Sequence, residues 1–428
     1  MYVLNKGTLP RLAIGLFGFL AFVQITFAPV AVYYFSLLLL IAVLSVCLVS
    51  LRAGVEVKLV EYLLFFLSCF FVGVLSYFVR VVIGGGKFDY EELSIAGRLS
   101  NLVALFWAVV LIAAFHKRFA DSYSDRFLVV RWYQFGVFVV LLIGVWQFVS
   151  FYSSMPFPFE TRSHLHSTYG YNYSFTHRLT SVAREPSFFV MLAVDFVGLS
   201  LLFYSGFKRI FMTLLGFIMI VFSLSPSGYI AFFGALGVAW FFSEVKYFTG
   251  RVSFNKLGLI VLIVAAILLF FAANDQVYQY IYNRIFDATP SNSGRFYMIV
   301  MPYLWSWDGD LLGFLFGHGV KSYSIIGTYY NLPNGMPVHP TSNNIYTDVF
   351  WESGVLGLAL LLLFFSFVFI SICRAGVGKF NSFVAFYFLF ELMLSGLFRA
   401  DFASARFFIL LYSIYLLVSQ PLIRRECQ

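Results

Sequence analysis

The chain has 428 residues, of which 61% are hydrophobic, 21% aromatic and only 11% charged. A soluble domain carries about 25% charged residues, so this composition excludes an ordinary water-soluble protein. The net charge of +8 does not point to nucleic acid, because most Lys and Arg sit in short segments between apolar runs, where they set membrane orientation.

Apolar runs of roughly twenty residues, enough to cross ~30 Å of hydrocarbon as helix, recur along the chain. They lie near 13–29, 31–50, 59–79, 98–115, 132–152, 186–206, 210–225, 228–243, 257–273, 345–372, 381–398 and 404–421. This spacing predicts an all-α polytopic membrane protein with about 12 transmembrane helices, forming a single membrane domain over 1–428. The first run follows Lys6 and Arg11. It lacks a small-residue cleavage site and leads into a second span, so it reads as a signal-anchor. With the N-terminus inside, 17 of the 28 basic residues fall on one face, all in short loops or tails. Both termini are therefore predicted cytoplasmic. Cys47, Cys69, Cys373 and Cys427 fall in spans or on the cytoplasmic side, and imply no disulfide framework.

Two external loops stand out, 153–185 and 274–344. Long irregular segments in compact proteins are functional or disordered, and the many aromatics here (Tyr169, Tyr171, Tyr173, Phe175, Tyr323, Tyr329, Tyr330) argue against disorder. A third, shorter loop carries Gly84-Gly85-Gly86 and reads as a flexible link.

The first long loop ends Arg178-Leu-Thr-Ser-Val-Ala-Arg184-Glu185-Pro186-Ser187. Proline fits the first helical position, and the N-terminus of the helix starting there suits a phosphate. Arg178 and Arg184 make an anion clamp, since guanidinium matches phosphate oxygens bidentately. Snorkelling, or pairing with Glu185 and Glu160, accounts for the same arginines equally well. The second loop carries Ser293-Gly294-Arg295, Gly317-His318-Gly319 and His339-Pro340-Thr341-Ser342-Asn343-Asn344, followed by a helix opening at Ile345-Tyr346. Asparagine is a favoured N-cap, which explains at least one of Asn343 and Asn344. A loop histidine is more often solvated or structural than catalytic, and Arg295 serves equally as an interfacial anchor. Inside the spans, Asp195 and Glu391 are costly and call for partners. No cluster has metal-ligand spacing, so neither a metal nor a cofactor is expected.

In their order along the chain these motifs resemble the O-antigen polymerase/ligase superfamily. They are Arg178 with Arg184-Glu185-Pro186-Ser187, Ser225-Pro226-Ser227-Gly228, Ser293-Gly294-Arg295, Gly317-His318-Gly319, and Asn343-Asn344 followed by Glu352-Ser353-Gly354-Val355-Leu356-Gly357. The resemblance covers about 160–375 in motif. It implies a GT-C-like glycosyltransferase of the bacterial inner membrane, with both long loops and the active site periplasmic. The implied donor and acceptor are undecaprenyl-pyrophosphate-linked oligosaccharides in the bilayer, with a chain-length regulator as a further partner. Arg178, Arg184 and Arg295 are then candidates to hold the developing negative charge, with Glu185 or His339 as general base. Asn343, Asn344, Tyr346, His318 and Ser187 are candidates for binding substrate.

One departure is informative. The superfamily's ligases carry His, then Asn or Ser, nine residues, and Gly-x-x-Gly. Here Asn344, Gly354 and Gly357 fit that frame, but the histidine position is Asn343 and His339 lies outside it. The departure favours polymerisation of repeat units into O-antigen or a related surface polysaccharide. An O-antigen ligase acting on the lipid A core of lipopolysaccharide and a transporter or flippase for lipid-linked sugars remain alternatives. The transporter would call for repeat symmetry and Gly/Pro-broken spans in matching halves, which are not seen.

Overall fold

The structure, a computed structural model, describes residues 8–22, 54–83, 90, 93, 95–119, 123–153, 155–159, 178–183, 185–246, 295–307, 310–333, 335, 338–399 and 404–419. The predicted spans 31–50 and 257–273 lie outside these residues, as do most of the loop 153–185 and the segment 274–294.

Among the described residues every regular element is helical. In chain order they are α1 (Thr8–Leu20), α2 (Val57–Ile83), α3 (Ala96–Phe119), α4 (Leu128–Tyr152), α5 (Pro186–Phe203), α6 (Gly206–Phe222) and α7 (Pro226–Lys246). There follow α8 (Arg295–Ser306), α9 (Leu311–Phe316), a 3-10 helix (Ser322–Thr328), α10 (Ile345–Arg374), α11 (Lys379–Ser395) and α12 (Ala405–Ser419). A single turn, Tyr123–Arg126, links α3 to α4.

Five helices, α2, α4, α5, α7 and α10, are long and apolar enough to cross a membrane. The chain is a multi-pass membrane protein by that measure, with fewer such helices among the described residues than the twelve expected. Part of the shortfall has a physical source. Helices α6, α11 and α12 have 17, 17 and 15 residues, below the ~20 that a straight crossing needs. The segment expected to be an irregular loop also differs, since its described part folds into α8, α9 and the 3-10 helix. Each is too short for an apolar run to reveal it, and α8 carries Pro302 inside.

Helix α7 packs along α11, α10 along α2, α1 along α4, and α5 along α6. Phe66 of α2 stacks on Phe407 of α12 with centroids 4.9 Å apart, and meets Phe364 of α10 at 5.2 Å. In lipid, packing of this kind replaces the hydrophobic drive that water would supply.

One polar node lies inside this apolar bundle. Arg406 of α12 forks onto Asp195 of α5, with Nε to Oδ2 at 2.7 Å and Nη2 to Oδ1 at 2.8 Å. The same Nη2 donates to Glu391 of α11, and the Tyr133 hydroxyl of α4 donates to Asp195. Arg406, Asp195 and Glu391 are fully buried. The two intramembrane carboxylates thus have a partner, and four helices are tied through it. Breaking such a cluster strands charge out of water at about 3–5 kcal/mol. Arg406→Ala is therefore expected to lower the thermal unfolding midpoint of the detergent-purified protein sharply and to reduce its accumulation. Arg406→Lys should recover only part of the loss, because a single ammonium cannot span both oxygens of Asp195 and Glu391 together. An unchanged midpoint in the alanine variant would remove the node from the fold's support.

Candidate functional site

The site is built where α10 breaks. Gly354 has φ 67° and ψ −167°, non-helical values inside α10. A broken helix leaves carbonyls without their usual donors. Backbone from the loop supplies them: the His318 N–H donates to the Trp351 carbonyl at 2.8 Å and the Gly319 N–H to that of Glu352 at 3.1 Å. The approach is close enough to require glycine on both sides. A Cβ on Gly354 would lie 2.4 Å from the Leu315 carbonyl, and one on Gly317 (φ 85°) 2.3 Å from that of Glu352.

Helix α2 locks this insertion. The Gly317 carbonyl accepts from Ser76 Oγ at 2.7 Å and Arg80 Nε at 3.1 Å, and the Val320 N–H donates to the Gly73 carbonyl at 2.9 Å. Arg80 also pairs with Asp310 at 3.0 Å. Burial alone would raise the Asp310 carboxyl, but the Gly313 N–H and the Arg80 guanidinium outweigh it and hold the group below its ordinary range. His318 is 2% exposed. Its ring lies 4.3 Å from that of Trp351, with Nε2 3.3 Å from Ser306 Oγ and Nδ1 3.6 Å from Asp310. The Tyr90 hydroxyl donates to the His318 carbonyl at 2.8 Å, and burial pushes that phenol up to about 12, so it stays a donor at any ordinary pH.

At the same end of the bundle three helices begin, α5 at Pro186, α7 at Pro226 and α10 at Ile345; α12 begins deeper, its Arg406 and Phe407 meeting Asp195 and Phe66. Each N-terminus presents partial positive charge. Pro186 occupies the first turn of α5, and Glu185 precedes it in extended conformation without capping the helix through its side chain. The Glu185 carboxylate instead accepts from Ser187 Oγ at 3.0 Å. Arg178 is half-buried and donates to the Leu224 carbonyl at 3.0 Å, just ahead of α7.

Asn344 is the N-cap of α10. Its Oδ1 accepts from the amides of Tyr346 and Thr347 at 2.9 and 3.0 Å, while its Nδ2 donates to the Leu397 carbonyl at 2.9 Å. The Ile345 N–H donates to the Gly396 carbonyl at 2.8 Å, and the Tyr346 hydroxyl to that of Met393 at 2.8 Å. These bonds seat the turn after α11 against α10. Two residues on, Arg399 is 6% exposed with its guanidinium carbon 3.0 Å from the centroid of the Phe188 ring, in the first turn of α5.

The sequence-predicted residues therefore divide. Arg178, Glu185, Ser187, Asn344 and Tyr346 stand where the helices begin, whereas His318 is enclosed at the break in α10. His339 is exposed and bonded within its own turn, Nδ1 to Thr341 Oγ1 at 2.9 Å. Asn343 is exposed in the left-handed region at φ 55°, a conformation that asparagine tolerates better than most residues. Arg295 opens α8, one turn before Ile299, whose carbonyl lies 3.2 Å from Thr347 Oγ1 of α10. Arg184 and the Arg295 side chain lie outside what is described. Sequence reasoning missed Arg399, although it stands alone as a cation in the short segment between α11 and α12. It also missed Asp348, 6% exposed in the first turn of α10 and bonded to the Ser342 hydroxyl.

Residues 211–362 match a protein-family model, Wzy_C, described as O-antigen ligase. The match supports the O-antigen polymerase/ligase superfamily for this chain. It takes in Arg295, the Gly317-His318-Gly319 insertion, Asn344 and the break at Gly354, and leaves Arg178 and Arg399 outside. No curated protein matches the chain.

The double use of Asn344 separates two roles by mutation. Asn344→Asp keeps the acceptor for Tyr346 and Thr347 but places a carboxylate against the Leu397 carbonyl. Asn344→Ala loses the cap as well, at about 1 kcal/mol. Both variants are expected to unfold at lower temperature than wild type in the detergent-purified protein. If aspartate is fully tolerated, the bond to Leu397 does not hold the turn in place.

Proposed function

We propose that this member of the O-antigen polymerase/ligase superfamily polymerises polyprenyl-pyrophosphate-linked oligosaccharide repeat units into a surface polysaccharide. The reaction takes place on the periplasmic face of the bacterial inner membrane, with both termini cytoplasmic. The observation that carries the reading is the gathering of cationic and helix-N-terminal groups at one end of the bundle. Arg178 lies beside the start of α7, Glu185-Pro186-Ser187 opens α5, and α10 begins at the Asn344 cap.

The acceptor hydroxyl forms a bond to the anomeric carbon of the donor sugar as the bond from that carbon to the pyrophosphate oxygen breaks. The electron pair leaves with the polyprenyl pyrophosphate. Charge accumulates on the leaving group, where arginines and helix N-termini stabilise it without reorganising at the moment of reaction. Arg178 and Arg295, with Arg184, are assigned that task. The acceptor proton passes to a carboxylate or imidazole, with Glu185 and His339 as candidates. The amide at position 343, where the family's ligases place histidine, cannot take a proton near neutral pH. That substitution favours elongation of lipid-linked chains over transfer to lipid A core.

Arg178→Ala is expected to cut chain elongation roughly a hundredfold or more while the protein still accumulates in the membrane. Arg178→Lys should restore part of it, as a point charge lacking the bidentate fork. The check is the chain-length ladder of surface polysaccharide from cells carrying each variant. A normal ladder in the alanine variant would leave Arg178 as a headgroup anchor and withdraw the clamp.

A further inference from the structure

Helix α9 shows its apolar side outward. Leu311, Leu312, Leu315 and Phe316 are exposed, at 64%, 65%, 38% and 46%. The opposite side is fixed to the protein. Gly313 is buried against His318, Phe314 packs on Phe350 with centroids 5.8 Å apart, and the Asp310 cap pairs with Arg80. A helix bathed in water turns its polar face out. This one does the reverse. The end of α8 shares the pattern, with Leu304 61% exposed and Trp307 65% exposed.

The patch has a neighbour that identifies its surroundings. Helix α9 packs beside the end of α2, one of the five membrane-length helices, and the Arg80–Asp310 pair and the Ser76–Gly317 bond hold the two together. On that same end of α2, Val79 and Val82 are exposed at 52% and 82%. Helix α2 is long and apolar enough to cross a membrane, which sets these exposed valines against lipid and the apolar side of α9 beside them. Trp307, whose ring meets Phe314 edge-on at 4.8 Å, is of the residue type that concentrates at the headgroup level.

We infer that α9, with the end of α8, is an interfacial element whose apolar side is immersed in the bilayer leaflet surrounding the end of α2. Its partner is the acyl chains of that leaflet, and no soluble ligand or second protein occupies the patch. Such an element is held in the plane of the interface by buried apolar area. The insertion at the Gly354 break then rests on lipid from one side and on Arg80, Asp310 and His318 from the other. This inference stands on exposure and packing, and is independent of the transfer chemistry proposed above.

The test uses the full chain reconstituted in lipid nanodiscs, with its four cysteines replaced by alanine. Leu312→Cys is labelled with an environment-sensitive fluorophore, with Val82→Cys as the lipid-facing standard and Thr328→Cys as the water-facing standard. The expected result is blue-shifted emission from position 312, quenched by nitroxide-labelled phospholipid as at 82 and protected from aqueous iodide. Iodide quenching as strong as at 328 would overturn the inference by placing the helix in water. Protection from both quenchers would overturn it equally, by showing a protein surface over the patch. Trp307→Phe gives a label-free check, since quenching of intrinsic fluorescence by brominated acyl chains should fall when Trp307 is removed. Unchanged quenching by those chains would count against that immersion.

Discussion

Backbone carbonyls left open by a break in a membrane helix must find donors inside the protein, because hydrocarbon offers none and each orphan costs several kcal/mol. Helix α10 breaks at Gly354, and the amides of His318 and Gly319 answer the carbonyls of Trp351 and Glu352. Much else follows from that exchange. It draws the loop segment down onto α10 and α2, requires glycine at 317 and 354, and brings Asp310 within reach of Arg80. With the segment seated, α8 lies against the first turn of α10 through Ile299 and Thr347. A loop that would otherwise be free to wander is thus set on a rigid support, as residues that handle substrate require.

The second support lies within the bundle. Arg406, Asp195 and Glu391 put two carboxylates and one guanidinium in a fully buried cluster, and Tyr133 adds a hydroxyl. Polar groups inside a membrane protein face the bundle interior and pair with one another. Here they join α4, α5, α11 and α12. The start of α5 and the turn after α11 meet a short way beyond the node along those two helices, where Arg399 lies over Phe188. The buried node therefore orients the two elements that frame the candidate site.

The parts legible in the sequence were those with a local chemical cause. Pro186 could be placed at a helix start because its missing N–H costs nothing there, and an asparagine before Ile345 because its amide oxygen caps free N–H groups. Membrane character followed from composition alone. What escaped depends on distance in space. Arg406 and Asp195 are 211 residues apart, and apolar helices carry no periodicity that reports which face meets which neighbour. The contents of 274–344 were hidden for a different reason. Helix α9 has six residues, too few for a period, and its apolar side faces away from the protein. His318 was legible as a motif residue, but not as an enclosed one, because its surroundings come from Trp351, Ser306 and Asp310 on three separate elements.

The central claim is that the chain extends lipid-linked glycan without needing any other acceptor. The most direct measurement incubates the purified protein in nanodiscs with polyprenyl-pyrophosphate-linked repeat units alone, and sizes the glycan released from the carrier by mild acid. The account predicts oligomers of increasing length, still attached to polyprenyl pyrophosphate, with free carrier released in step with each new linkage. Single units that persist unchanged until lipid A core is added, and are then transferred to it, would contradict the account and identify a ligase.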